Sequence, residues 1–499
     1  MRRVFAAGLL WLVPSVCFSG CGAPQERPLE AHVEELKVEI PRTLQWASAY
    51  CGQTQIDVQD LGVAPDGRIA ILGALQGGIR DANRENERFT SVPSPNADVM
   101  TFYLALAEGN GEHISMFVPR GHEKEARAHS LQAVGDGSWV VGGQFGDALR
   151  LREDSERPEL SHARGEDLFM LSFNDEGQPF QHIYAGGRGD ESIQSVTVTP
   201  GGSFYFVGSY SQSLRFHRRA RLAAKRGEHL FLAKVGDDGE VEWVRHLLES
   251  THPIQDVQLE STSDGELVVL GRFEQALSYG EGRGATTLTS RGHGDVFLAR
   301  FDGDGELRWI EQAGGDEDEA PVSLSINEND DLTVVARAGG ASQFGRDREQ
   351  ESVNGSSKLS FIIAHYAGDD GSLHHVRRLG NGMSLNYASG TSLPEGGSAV
   401  VGGFDGELQL RGGEIGLHAS PEGSVFVARL LPDDRVGRVE TTEGGGGAIA
   451  KQVRVHPDGG VVVAGTFHAP LTLAPGAPGE TELSCHGRPG VFVAHFTQP

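Results

Sequence analysis

Sulfur, aromatic side chains and positive charge are all scarce in this chain. Of its 499 residues, 4 are Cys, 5 are Met and 7% are Phe, Tyr or Trp, and 43 Lys and Arg stand against 69 Asp and Glu. A formal net charge of −26 repels phosphate backbones and anionic membrane surfaces, so no nucleic-acid partner is expected. Cationic surfaces and divalent cations stay open as partners. Beyond the N-terminus there is no apolar run of the roughly 20 residues that a membrane-spanning helix needs.

What the chain does have is glycine, 69 of them, and a repeat. Val296-Phe297-Leu298-Ala299-Arg300-Phe301-Asp302-Gly303 is echoed by Leu230-Phe231-Leu232-Ala233-Lys234-Val235-Gly236-Asp237, and again around Phe169, Ile362, Phe426 and Phe492, with a weaker copy at Tyr103. A second marker ends an apolar run at Gly73, Gly143, Gly208, Gly271, Ala336, Gly402 and Gly465. Two markers keeping one period of about 65 residues throughout indicate a repeat architecture. Strand-like segments recur four to a unit, as in Val322 to Ile326, Asp331 to Ala336, Val296 to Asp302 and Leu307 to Gln312. The turns between them, such as Asn327 to Asp330 and Gly303-Asp304-Gly305, use the residues that tight hairpins demand. One four-stranded sheet per period, arranged radially, is a propeller blade.

The run Asp295 to Trp309 followed by Ala313-Gly314-Gly315-Asp316-Glu317-Asp318-Glu319 resembles the bacterial β-propeller repeat family, written DAFVAKLDxxGxLxW followed by GGxxxD. The resemblance covers about residues 44 to 497 and implies a fold and an extracytoplasmic setting, with no particular activity. The expected fold is an all-β, seven-bladed propeller over residues 44–499. Its ring is closed by Leu44 to Ala47, which supplies the fourth strand of the blade whose third strand is Val491 to Phe496. Cys51 and Cys485 then fall on one face of that blade, so a disulfide is reasonable, with two free buried thiols as the alternative.

Residues 1–20 read as a secretory signal: Arg2 and Arg3, a short apolar stretch, then Phe18-Ser19-Gly20-Cys21. This is similar to a bacterial lipobox, which implies acylation of Cys21 and anchoring in the envelope by N-terminal lipid alone. Gly22, standing where an Asp would imply inner-membrane retention, points to the outer membrane. An ordinary cleaved signal peptide is the alternative. Residues 21–43, acidic with Pro24, Pro28 and Pro41, read as a tether.

No sialidase box, His/Cys metal spacing, nucleophile elbow or phosphate loop is present, so no catalytic or metal-binding residue is expected. His374 and His375 lie in an outer strand, where alternation points their rings apart. Trp46, Trp243 and Trp309 share one repeat position and read as blade packing. The Asp-Gly turns resemble calcium loops only loosely, lack the trailing bidentate carboxylate and are explained as hairpins, so no cofactor is expected.

One face of the ring carries the longer connections, including Gln76 to Ala97, the basic Ser211 to His229, and Ala338 to Leu359. It also carries the acidic segments holding the binding-face candidates Asp190, Glu191, Asp316, Glu317, Asp318 and Glu319. The functional expectation is a monomeric, non-catalytic envelope scaffold that binds protein or polysaccharide on this face. The alternatives are a glycan hydrolase or lyase acting near the central channel, and a cation-bridged structural surface protein.

Overall fold

The computed structural model describes residues 44–497 except 83–89, 92–97, 122, 153–154, 156, 162–164, 217–219, 224–226, 237–238, 281–284, 346–350, 355–359, 380–384 and 411–414. Cys21 and the tether lie outside the described residues. The described chain is a seven-bladed β-propeller of four-stranded antiparallel blades. Blade 4 shows the pattern from the channel outward: Gln255–Ser261, Leu267–Phe273, Asp295–Phe301 and Leu307–Gly315. The segments Ala320–Ile326 and Leu332–Ala338 open blade 5, so the four strands read from the repeat divide between two neighbouring blades.

The burial of each strand follows from its place in the blade. In blade 4 the two middle strands are buried at every residue, because neighbouring blades cover both of their faces. The outer strand Pro179–Gly187 of blade 2 instead alternates between exposed and half-buried residues at its start. The two sequence markers prove to be cross-strand partners. Gly271 stands opposite Phe297, Gly208 opposite Phe231, Gly402 opposite Phe426 and Gly465 opposite Phe492. A Cβ added at any of these four glycines would lie 2.6 or 2.7 Å from the aromatic ring, so the ring lies over the bare backbone. Blade 5 alone pairs Ala336 with Ile362: where the partner gains a methyl group, the aromatic ring is replaced by a smaller aliphatic chain.

Leu44–Gly52 pairs with Gly490–Phe496 and completes blade 7 from the other end of the described chain. Cys51 and Cys485 are joined there by a disulfide with their Cα atoms 5.4 Å apart. The inserts between second and third strands are largely not free loops. Ser213–Phe216 and Ala220–Ala223 form a hairpin that pairs with the outer strand of the preceding blade, Pro179–Gly187. The hairpins of Gly78–Asp81, Ala276–Tyr279, Ala341–Phe344 and Leu471–Leu473 dock in the same way on Leu44–Gly52, Val241–Ser250, Leu307–Gly315 and Val436–Gly444. An outer strand would otherwise present unpaired backbone groups, and these hairpins occupy part of that edge.

Candidate functional site

Every innermost strand carries a register shift at the same level, between Val58 and Asp60 in blade 1, Ala128 and Ser130 in blade 2, and Ile193 and Ser195 in blade 3. The shift recurs between Gln255 and Gln258, Pro321 and Ser323, Leu385 and Tyr387, and Ala450 and Gln452. A bulge of this kind bends the strand and re-aims side chains. In blades 1 to 5 the residue just past it accepts a hydrogen bond from the next blade. Leu131 N donates to Asp60 Oδ2 (2.9 Å), Val196 N to Ser130 Oγ (3.0 Å) and Leu259 N to Ser195 Oγ (3.0 Å). Leu324 N donates to Gln258 Oε1 (2.8 Å) and Gly390 N to Ser323 Oγ (2.9 Å). This girdle satisfies amides that an innermost strand would otherwise turn unpaired toward the channel.

The girdle leaves a polar channel of about 460 Å³ lined by Gln59, Gln132, Gln194, Gln258 and Gln452, with Ser130, Ser195 and Ser323 among them. Its charged groups are Asp60, Glu260, Asp256, Arg337 and Arg454. Burial raises the Asp60 carboxyl above the ordinary range, although Arg454 Nη2, 2.8 Å from its Oδ1, pulls the other way. Burial likewise pushes Glu260 up to about 7, with Arg454 opposing and Asp60 adding to the rise.

Above the girdle, on the face of the longer connections, a second cavity of about 630 Å³ opens between blades 7, 1 and 2. It shares Gln59 and His129 with the channel and is further lined by Gln55, Asp57, Arg127, Lys451 and His468. Lys451 Nζ reaches both oxygens of Asp57, at 2.6 and 2.8 Å. Burial lowers the pKa of His129, which favours the neutral ring, whose Nε2 lies 3.3 Å from Gln144 Oε1. Cation, carboxylate, amide and imidazole together suit a hydroxyl-rich or otherwise polar ligand.

The six acidic binding-face candidates do different things. Glu191 and Glu319 are each 1% exposed and fold back on their own turns, accepting hydrogen bonds from Gly187 N and Gly315 N at 2.8 Å. Glu319 takes a second one from Ser342 Oγ at 2.8 Å. These two glutamates hold the blade-to-blade connection together and are not on the solvent surface. Asp190 is exposed but accepts from Glu166 N (3.0 Å), and Asp318 pairs with Arg272 (2.6 Å). Asp316 and Glu317 are exposed. Of the basic insert, Arg215 and Arg221 are exposed and face each other across its hairpin, while Arg218, Arg219, Lys225 and Arg226 lie outside the described residues.

Two of the three repeat tryptophans bond to the next blade. Trp46 Nε1 donates to Gly109 O (2.8 Å) and Trp309 Nε1 to Gly368 O (3.2 Å). Trp243 meets Tyr205 edge-on at 6.0 Å. His374 and His375 do point apart, but His375 meets a histidine that no local spacing reveals: it stands opposite His365 on the neighbouring strand, and Asp434 joins both. Two more clusters, His229/His246/Glu249 and His456/Asp458/His495, arise in the same non-local way.

No family model matches the chain, and no curated protein matches it. Solved structures do match. A protein of unknown function from Dyadobacter fermentans DSM 18053 is 11% identical, with a TM-score of 0.36 over 91% of this chain and 99% of its own. Leech intramolecular trans-sialidase is 10% identical, with a TM-score of 0.37 over 83% of this chain and 65% of its own. A quinohemoprotein alcohol dehydrogenase from Pseudomonas putida HK5 is 10% identical, with a TM-score of 0.34 over 91% and 76%. Likenesses this remote bring no activity to the chain. Its own strands say what it is: an all-β propeller of seven blades, closed into a ring by its first described strand.

Proposed function

We propose that this protein is a non-catalytic binding module of the bacterial cell envelope, tethered through lipid on Cys21, that takes a polar ligand at the channel mouth. The observation that carries the reading is the mouth cavity of about 630 Å³, with Asp57 and Lys451 paired at its wall, on the face of the longer connections. A polysaccharide suits it better than a protein surface. Protein interfaces are built around an apolar core, whereas the large exposed hydrophobic residues among those described are Phe180 and Leu431. Phe180 lies on an outer strand and Leu431 just past the end of a third strand, both away from the mouth. The disulfide between Cys51 and Cys485 supports an oxidising compartment, in keeping with export.

The test is calorimetric titration with oligosaccharides released from bacterial envelope polysaccharides, using the wild type and Lys451→Ala. Saturable binding that weakens at least about tenfold in the variant supports the reading, since a charge-assisted hydrogen bond lost is worth roughly 1.5–3 kcal/mol. Binding to none of them, with no loss of Cys21 acylation by mass spectrometry, removes the polysaccharide reading and leaves the anchor standing.

A second reading has one observation behind it. Glu260, held near a pKa of about 7 inside the channel, has the proton affinity of a general acid at neutral pH. A glycan hydrolase or lyase would release new chain ends from the same oligosaccharides, and Glu260→Gln would abolish that release without loosening binding.

A further inference from the structure

Where the outer turn of one blade meets the outer strand of the blade before it, the joint between blades 5 and 6 differs from the joint between blades 4 and 5 at three positions together. The turn between third and fourth strands carries glycine at positive φ in five blades: Gly111, Gly177, Gly239, Gly305 and Gly371. In blade 6 the same place holds Asp434, at φ 60. Four residues after the turn glycine, blades 3 and 4 place Trp243 and Trp309, whereas blade 5 places His375. Three residues after the buried marker on the third strand, blades 3, 4 and 6 carry Lys234, Arg300 and Arg429, while blades 5 and 7 carry His365 and His495.

The geometry explains why the changes come together. A Cβ at Gly371 would lie 2.8 Å from the Trp309 ring, and one at Gly111 would lie 2.4 Å from Trp46, so at these two joints the indole of the preceding blade leaves no room for a side chain at the turn. His375 is smaller, and the Asp434 side chain fills the space released. Its carboxylate reaches both rings, with Oδ2 2.8 Å from His375 Nε2 and Oδ1 3.1 Å from His365 Nε2. The two rings are 4.6 Å apart between centroids, and all three donor atoms lie within 4.8 Å of one another. The other nitrogen of His365, Nδ1, is 3.1 Å from Thr333 Oγ1, to which Ser392 Oγ donates at 2.9 Å. That is how a metal-binding imidazole is held in orientation from behind. The side chains of Asp434, His365 and His375 are 3%, 15% and 24% exposed, so the carboxylate is buried while the rings reach solvent.

We propose that His365, His375 and Asp434 form a binding site for a divalent transition-metal ion of the zinc class, bridging blades 5 and 6. Two imidazoles and a carboxylate are the three protein ligands of a four-coordinate zinc site, and the solvent-facing side leaves room for a water as the fourth. Nitrogen donors select against calcium and magnesium, which take oxygen ligands. A metal here would fasten two blades through side chains, at a joint where His375 stands in place of the tryptophan that blade 4 carries.

The test is calorimetric titration of metal-stripped purified protein with Zn(II), with the visible spectrum of Co(II) as a second probe. The variant is Asp434→Gly with His375→Trp, which rebuilds the joint as it stands between blades 4 and 5 and so keeps the fold, as circular dichroism checks. The clusters at His229/His246/Glu249 and His456/Asp458/His495 are left intact in it. One equivalent of metal is expected to be lost relative to the wild type, and Thr333→Val alone is expected to weaken that equivalent about tenfold. Zn(II) uptake with unchanged stoichiometry and affinity in the double variant would overturn the proposal, as would a wild type that takes up no Zn(II).

Discussion

Glu191 shows how one buried side chain writes a pH dependence into the molecule. Its carboxylate accepts from Gly187 N, yet burial pushes its pKa up to about 8 against that bond, with Asp167 and Asp190 adding to the rise. In the unfolded chain a glutamate loses its proton near pH ~4.3. Between these values the folded state holds a proton that the unfolded state has released, so stability falls as pH rises through the window. The contribution is greatest below the unfolded pKa and is lost by about pH 8. Glu191→Gln keeps an acceptor for Gly187 and removes the ionisation. Thermal denaturation at pH 5 and pH 8.5 is expected to show a smaller difference in Tm for this variant than for the wild type. An equal difference in both would mean that Glu191 does not titrate in this range.

Among the elements, the glycine and aromatic pair shared by the middle strands sets the size of each blade's interior. Gly271→Ala places a methyl group about 2.6 Å from the Phe297 ring, a distance that real contacts do not reach, so ring or strand must shift. Overpacking of this kind costs about 1–3 kcal/mol. Blade 5 already shows the relieved arrangement, Ala336 against Ile362. The double variant Gly271→Ala with Phe297→Ile is therefore expected to be more stable than the sum of its single changes implies. Urea denaturation of the four proteins of this cycle gives the coupling directly. Strict additivity would show that the two positions do not share one space.

For the whole molecule, the decisive feature is closure. A ring of blades is only as secure as the seam where its two ends meet, and here Leu44–Gly52 is held to Gly490–Phe496 by seven register positions and one disulfide. The bridge spans 434 residues of sequence, and a disulfide closing so long a loop stabilises by about 2–4 kcal/mol in typical measurements. Replacing both Cys51 and Cys485 by Ser is expected to lower the urea midpoint, with blade 7 the first to lose amide protection in hydrogen exchange. Loss of protection in all blades at once would mean that the ring opens as a unit and the seam is not its weak point.

The sequence by itself determined the number of blades, the pairing of first and last strands and the proximity of Cys51 to Cys485. Each of these follows from a period that local patterns carry: alternation, tight turns and a marker returning every 65 residues or so. It also placed Asp316 and Glu317 on an exposed connection. What it did not reveal is which acids of that connection are surface and which are structure, because Glu191 and Glu319 differ from their neighbours only in the amide they fold back to. Nor did it disclose the polar girdle of the channel, which joins residues of different blades, or the meeting of His365, His375 and Asp434, which lie 69 residues apart at the extremes. Those contacts belong to no local pattern. Only the closing of the ring sets one blade's turn against the strand of the blade before it, and that packing decides what the side chains can do.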